Sequence, residues 1–251
     1  MLTCTATSSM DLVLGTLILR WYVFGFVACF LVAGTVDLGW RRTLVFAAWV
    51  CPLVWAAEFV STRTGVPFGL YHYTGATRAH ELYVANVPLM DPLSFTFLAY
   101  AAFCLARGAL GERAGPWALA LTGGVMMMLL DVVIDPIALR GDRWFLGRIF
   151  YYVDGGAYFG VPLSNFAGWA LVGTLAIGGY LVLTRDGRGT RPELGMALYY
   201  AVLAFNLAVT AWISEWVLLG LGVLLHAATA AVLFAARRRP AIGPGMESQK
   251  A

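Results

Sequence analysis

Lysine is nearly missing from this 251-residue chain: Lys250, next to the C-terminal end, is the only one. A retinal Schiff base needs a lysine inside the bundle, so that class is excluded. Histidine is scarce too. His72, His80 and His226 are too few for the multi-histidine boxes of a membrane di-iron hydroxylase. The four cysteines, Cys4, Cys29, Cys51 and Cys104, lie far apart and form no CxxC pair. They specify neither a disulfide framework nor a zinc site, and those inside apolar runs read as small hydrophobes. No GxGxxG stands between a strand and a helix and no P-loop occurs, so dinucleotide cofactors and ATP-driven transport have no support. Charged residues make up only 12% of the chain, and a net charge of +3 is too small to argue for nucleic acid.

What fills the chain instead is apolar. Hydrophobic residues are 60% of the total and the mean hydropathy is +0.75, leaving too few polar side chains to coat a water-facing globule of this size. An all-α, polytopic integral membrane bundle in the cell membrane is therefore expected, with no separate soluble domain. A bilayer core of roughly 30 Å takes about 20 apolar residues per helix. On that rule seven segments emerge: Leu12 to Val36, Thr43 to Phe59, Val87 to Leu105, Trp117 to Leu139, Phe159 to Leu183, Leu194 to Ile213 and Trp216 to Ala236. The last two are almost continuous, so six is the alternative count. Arg20 falls inside the first segment, and either it snorkels or the span begins near Trp21. The first apolar run is too long for a signal h-region and lacks a basic flank, so it is expected to remain as an anchor. Residues 1–239 form one transmembrane domain on this reading, and 240–251 read as a disordered tail.

Placing the N-terminus outside puts eleven Lys and Arg on the inner side against five on the outer, which predicts N-out and C-in. Two connections, about 60 to 86 and 140 to 158, are long and rich in Tyr, Gly and His, unlike the short basic loops at the other end. Threading the helices up and down brings Glu58, Asp91, Asp131, Asp135, Asp154, Asn165 and Glu215 to one side of the membrane. Carboxyls at such depth are costly and usually face an internal cavity. Asp154 and Glu215 stand near helix ends, where capping or snorkelling explains them equally well. Asp131 and Asp135 share a helical face at i and i+4. Two carboxyls about 6 Å apart in an apolar setting do not both ionise easily, so one is expected to keep its proton. Tyr71, Tyr73, Trp144, Phe150, Tyr151, Tyr152, Tyr158 and Trp169 crowd the same side, where singly each also reads as part of an interfacial aromatic belt.

Several short motifs occur in order: Glu58-Phe-Val-Ser-Thr-Arg-Thr-Gly65-Val-Pro-Phe-Gly69-Leu-Tyr71-His-Tyr73, Val87-Pro88-Leu, Asp131-Val-Val-Ile-Asp135-Pro136, and Tyr158-Phe-Gly160-Val-Pro162-Leu-Ser-Asn165-Phe-Ala-Gly168-Trp169. Together they resemble the CruF family of membrane carotenoid hydratases, which includes the bisanhydrobacterioruberin hydratases. The match covers about 110 of the 251 residues. The resemblance implies addition of water across the terminal 1,2 double bond of an acyclic C40–C50 carotenoid, giving a tertiary 1-hydroxy end with no cofactor. With no histidine boxes, the hydroxyl would come from water. Asp131 or Asp135 is then the expected proton donor, and Glu58 or Asp91 receives the proton of the attacking water. Tyr71, Tyr73, Trp144, Tyr152, Tyr158 and Trp169 would line a pocket for the cation and Asn165 would orient water or a carboxyl.

Three rivals stay open. A UbiA-type prenyltransferase would use aspartates for Mg²⁺ and diphosphate, but would need a second Asp cluster. A membrane lycopene cyclase begins with the same protonation. A carotenoid-binding or transport protein would need the polar cavity without the chemistry.

Overall fold

The computed structural model describes residues 9–111 and 113–238; Cys4, Lys250 and the expected tail lie outside the described residues. Eight helices carry the architecture: α1 (Ser9–Leu19), α2 (Trp21–Asp37), α3 (Trp40–Thr64), α4 (Met90–Leu110), α5 (Pro116–Ala138), α6 (Leu163–Leu183), α7 (Glu193–Trp212) and α8 (Trp216–Arg238). Among the described residues, α3 to α8 are each long and apolar enough to cross a membrane, and α1 with α2 make a seventh candidate bent by 82°. The chain is an all-α polytopic membrane bundle.

The first expected segment is thus broken at Arg20, and α2 begins at Trp21, the second of the two expectations. The Arg20 side chain is fully buried rather than snorkelling. It donates from Nε and Nη2 to Glu81 (2.7 and 2.8 Å) and from Nη1 to the Leu146 carbonyl (2.8 Å). A guanidinium in an apolar interior has to find such partners, and here they come from the two long connections. Other boundaries also move. α3 runs to Thr64, where Gly65 at φ +78° takes the left-handed cap, so Glu58 lies inside the helix rather than at its end. α4 starts at Met90 and α6 at Leu163, because the residues before them enter extended structure.

Hydropathy carries no sign of that extended structure. β1 (Tyr71–Tyr73) pairs antiparallel with β4 (Phe150–Tyr152), placing Tyr71 opposite Tyr152 and Tyr73 opposite Phe150. β2 (Tyr83–Val84) pairs with β3 (Val87–Pro88). The ribbon of β1 and β4 ties together the α3–α4 and α5–α6 connections.

α4 is the central post, buried continuously from Phe95 to Arg107. α5 and α6 pack closest: a Cβ on Gly124 would collide with Thr174 Oγ1 and the Ala170 carbonyl, and one on Gly173 would press on the Gly124 backbone. At the bundle end away from the ribbon, Arg107 holds Asp37 (2.5 and 3.1 Å), which also accepts from Tyr100 (3.3 Å) and the Arg191 amide (2.7 Å). This satisfied buried pair fixes the α2 C-terminus to α4 and to the α6–α7 connection.

Candidate active site

Beneath the ribbon lies a cavity of about 150 Å³ walled by α2, α4, α5, α6, α7 and the two long connections, with Glu58 of α3 also reaching it. Three carboxyls line it: Glu58, Asp91 and Asp135. Asp91 opens α4, and Asp135 sits in the last turn of α5 before Pro136. The remaining lining is chiefly aromatic and aliphatic, including Tyr71, Trp144, Phe150 and Trp169. Trp169 stacks on Phe95 at 4.6 Å, which presents its ring as a fixed wall.

Each carboxyl is held by neighbours. Asn165, in the first turn of α6, donates through Nδ2 to Asp135 Oδ2 (2.7 Å) and Asp131 Oδ2 (2.6 Å), bridging the two acids. Tyr152 donates to Asp135 Oδ2 at 3.0 Å, and Tyr73 donates to Glu58 Oε2 at 3.2 Å while also interacting with Asp91. Pairing of β1 with β4 is what delivers these two phenols to the carboxyls. Burial pushes the phenols of Tyr71, Tyr73 and Tyr152 well above the usual tyrosine range, and the adjoining carboxyls add to the shift. All three stay neutral hydrogen-bond donors at any physiological pH.

The structure brings together most of the residues singled out from sequence. Glu58, Asp91, Asp135, Tyr71, Tyr73, Trp144, Tyr152, Asn165 and Trp169 line one cavity. Asp131 does not reach it. It is wholly buried behind Asn165, and its Oδ1 has no hydrogen-bond partner among the described residues. Tyr158 is also elsewhere: it bridges Val161 and packs its ring against Phe159 (4.8 Å) and Phe166 (5.5 Å), outside the lining. The tight turn before α6 swings it away. Glu215 pairs with Arg140 (3.0 Å) and Arg143 in a clamp between loops, and Asp154 is exposed. Sequence reasoning misses Tyr22, Phe26, Phe205 and Asn206 as lining residues. Their placement within the apolar helices α2 and α7 carries no signal beyond core packing. Among the described residues, no group of three or more His, Cys, Asp or Glu side chains could hold a metal ion.

Residues 8–229 match a family model described as carotenoid biosynthesis protein. A bisanhydrobacterioruberin hydratase of Haloarcula japonica is 31% identical over 148 residues, which is 59% of this chain and 47% of that protein. The chain thus spans about half the length of this curated relative. No solved structure matches.

Proposed function

The chain belongs to the carotenoid biosynthesis protein family, and from that premise we propose that it hydrates the terminal 1,2 double bond of an acyclic carotenoid, leaving a tertiary alcohol. One observation carries the reading: an aromatic-walled cavity inside a membrane bundle where three carboxyls converge and one, Asp135, is oriented by Asn165 and Tyr152. The relative's name, a hydratase of a carotenoid, agrees with it.

Hydration of an unactivated alkene is redox-neutral and begins with a proton. Asp135 is the donor in our reading, because it lines the cavity whereas Asp131 does not. Its proton passes to C2, and the positive charge develops at the tertiary C1. The faces of Trp169, Tyr71 and Trp144 stabilise that charge. Water attacks C1, and Glu58 or Asp91 takes the proton that water releases. Tyr73, which meets both, holds them in place. One proton leaves the enzyme for carbon and one returns from water, so transfer from base back to Asp135 closes the cycle. Asp131 acts through Asn165 as a positioning residue.

The test is expression in a lycopene-producing bacterial host, with pigments analysed by liquid chromatography and mass spectrometry. A product heavier by one water, and heavier again by two mass units when grown in ¹⁸O-water, is expected. An isomer of equal mass would mean that the internal alkene captures the cation, and would replace hydration by cyclisation.

A further inference from the structure

The cavity is large enough for an end group, not for a polyene that approaches the thickness of a bilayer. The rest of such a molecule has to lie outside it, and only one wall offers a path of matching chemistry. Where α3, α5, α6 and the ribbon border the cavity they bring its polar groups, apart from Asp91 and Ser94 on α4. α2 and α7 contribute Tyr22, Val23, Phe26, Val202 and Phe205, with Asn206 and the Tyr22 hydroxyl as their polar groups.

From the geometry of that wall we infer that the seam between α2 and α7 is a lateral portal and groove holding the polyene of the substrate, while its end group reaches the carboxyls. The lip of the seam is built from rings in contact. Tyr22 stacks on Phe205 (5.5 Å, interplanar angle 16°), and Phe26 meets Phe205 edge-on at 5.6 Å. Phe145 continues the series outward. It touches Tyr22 at 5.2 Å and both Trp21 and Trp212 at 6.0 Å, and these tryptophans are 62% and 64% exposed on the lipid-facing surface. A continuous series of aromatic rings therefore leads from the exposed tryptophans to the cavity, and flat conjugated chains pack well against such rings.

Helical periodicity extends the lip into a groove. Ala201, Phe205, Ala208 and Trp212 follow i, i+4, i+7 and i+11 on α7, and Tyr22, Phe26 and Cys29 follow i, i+4 and i+7 on α2. α2 and α7 run antiparallel, since five reversals separate them and Trp21 and Trp212 share a neighbour. One turn beyond the aromatic lip, the seam is therefore flanked by Cys29 and Ala201, both small and both exposed. On this proposal the small side chains there let a chain lie along the seam at van der Waals distance from two helices.

The proposal rests on the carotenoid reading for its occupant, and binding separates the two. Lycopene is achiral and acquires circular dichroism in its visible bands only when an asymmetric site holds it. In nanodiscs the unaltered protein should induce that signal, and so should Asp135→Asn. Ala201→Phe and Cys29→Phe, which fill the seam from lipid-exposed positions, should each weaken binding at least tenfold. Hydration of a short acyclic alkene with the same terminal group should stay within twofold in both variants. Unchanged lycopene binding in both variants would overturn the groove, as would equal loss with the long and short substrates. A dichroic signal lost in the variants without any hydration by the unaltered protein would retain the groove and discard the hydratase.

Discussion

Asp131 and Asp135 are one helical turn apart and meet the same Asn165 amide, yet only Asp135 borders the cavity. Their separate roles make a direct prediction. Asp135→Asn should lower hydration in membranes by about a hundredfold or more, the usual scale for loss of a general acid. Asp131→Asn leaves the Asn165 to Asp135 bond available and should cost roughly tenfold, within the range of a misplaced rather than a missing group. Product formed per folded protein measures both; full activity in both variants would remove the pair from the mechanism. Tyr152→Phe removes the phenol donor to Asp135, costing about 1 kcal/mol of stability. Its effect on rate should largely vanish in an Asp135→Asn background, because the two share one interaction. At this scale the sequence shows that a carboxyl pair shares a face. It does not show which member has access, since a turn of about 5.4 Å changes what each side chain meets.

Secondary-structure elements explain why the pair is held so firmly. α5 supplies both aspartates and α6 supplies Asn165, and the two helices close upon Gly124 and Gly173. Gly124→Ala forces a methyl against Thr174 and Ala170, so it should destabilise by about 1–3 kcal/mol and lower activity by separating Asn165 from Asp135. Thermal unfolding in detergent together with hydratase rate would register both effects; an unperturbed melting temperature would mean that the helices do not approach as closely as the structure has them. Another element-scale device is the break at Arg20. Glu81→Gln strips a fully buried arginine of its counter-charge and should cost about 3–5 kcal/mol, whereas replacing both partners by apolar residues should recover much of it. Hydropathy made the long helices legible because each has to span lipid on its own. It could not reveal the ribbon, whose strands are three residues each and far apart in the chain, so that Tyr71 meets Tyr152 only through tertiary pairing. At Arg20 it did offer a span beginning near Trp21, where α2 begins, but not the partner that makes a buried arginine tolerable, because Glu81 sits in a distant loop.

Across the described residues, most of the arginines and the site stand at opposite ends. The α2–α3, α4–α5 and α6–α7 connections meet at one end, tied by Asp37 to Arg107 and Arg191 and by Arg188 to the Ala114 carbonyl. The long connections meet at the other, tied by the ribbon and by Glu215 to Arg140. Alternation of helices alone was enough to place the carboxyls toward one end, which is why so much of the site was legible in the sequence. Orientation in the bilayer follows from a different force. Among the described residues the arginines concentrate at the end away from the cavity, and basic connections are retained on the inner face. We therefore expect the cavity to open toward the outer leaflet, with α1 and α2 together completing an odd number of crossings. In a background with the native cysteines replaced by alanine, a membrane-impermeant maleimide applied to intact cells should label Asp154→Cys and Met10→Cys, and leave Arg113→Cys unlabelled until the cells are lysed. The reverse pattern would turn the molecule over and bring the end group and its water from the inner face. Met10→Cys labelled from the same side as Arg113→Cys would mean that α2 does not cross, and that Arg20 marks a re-entrant turn instead of the start of a span.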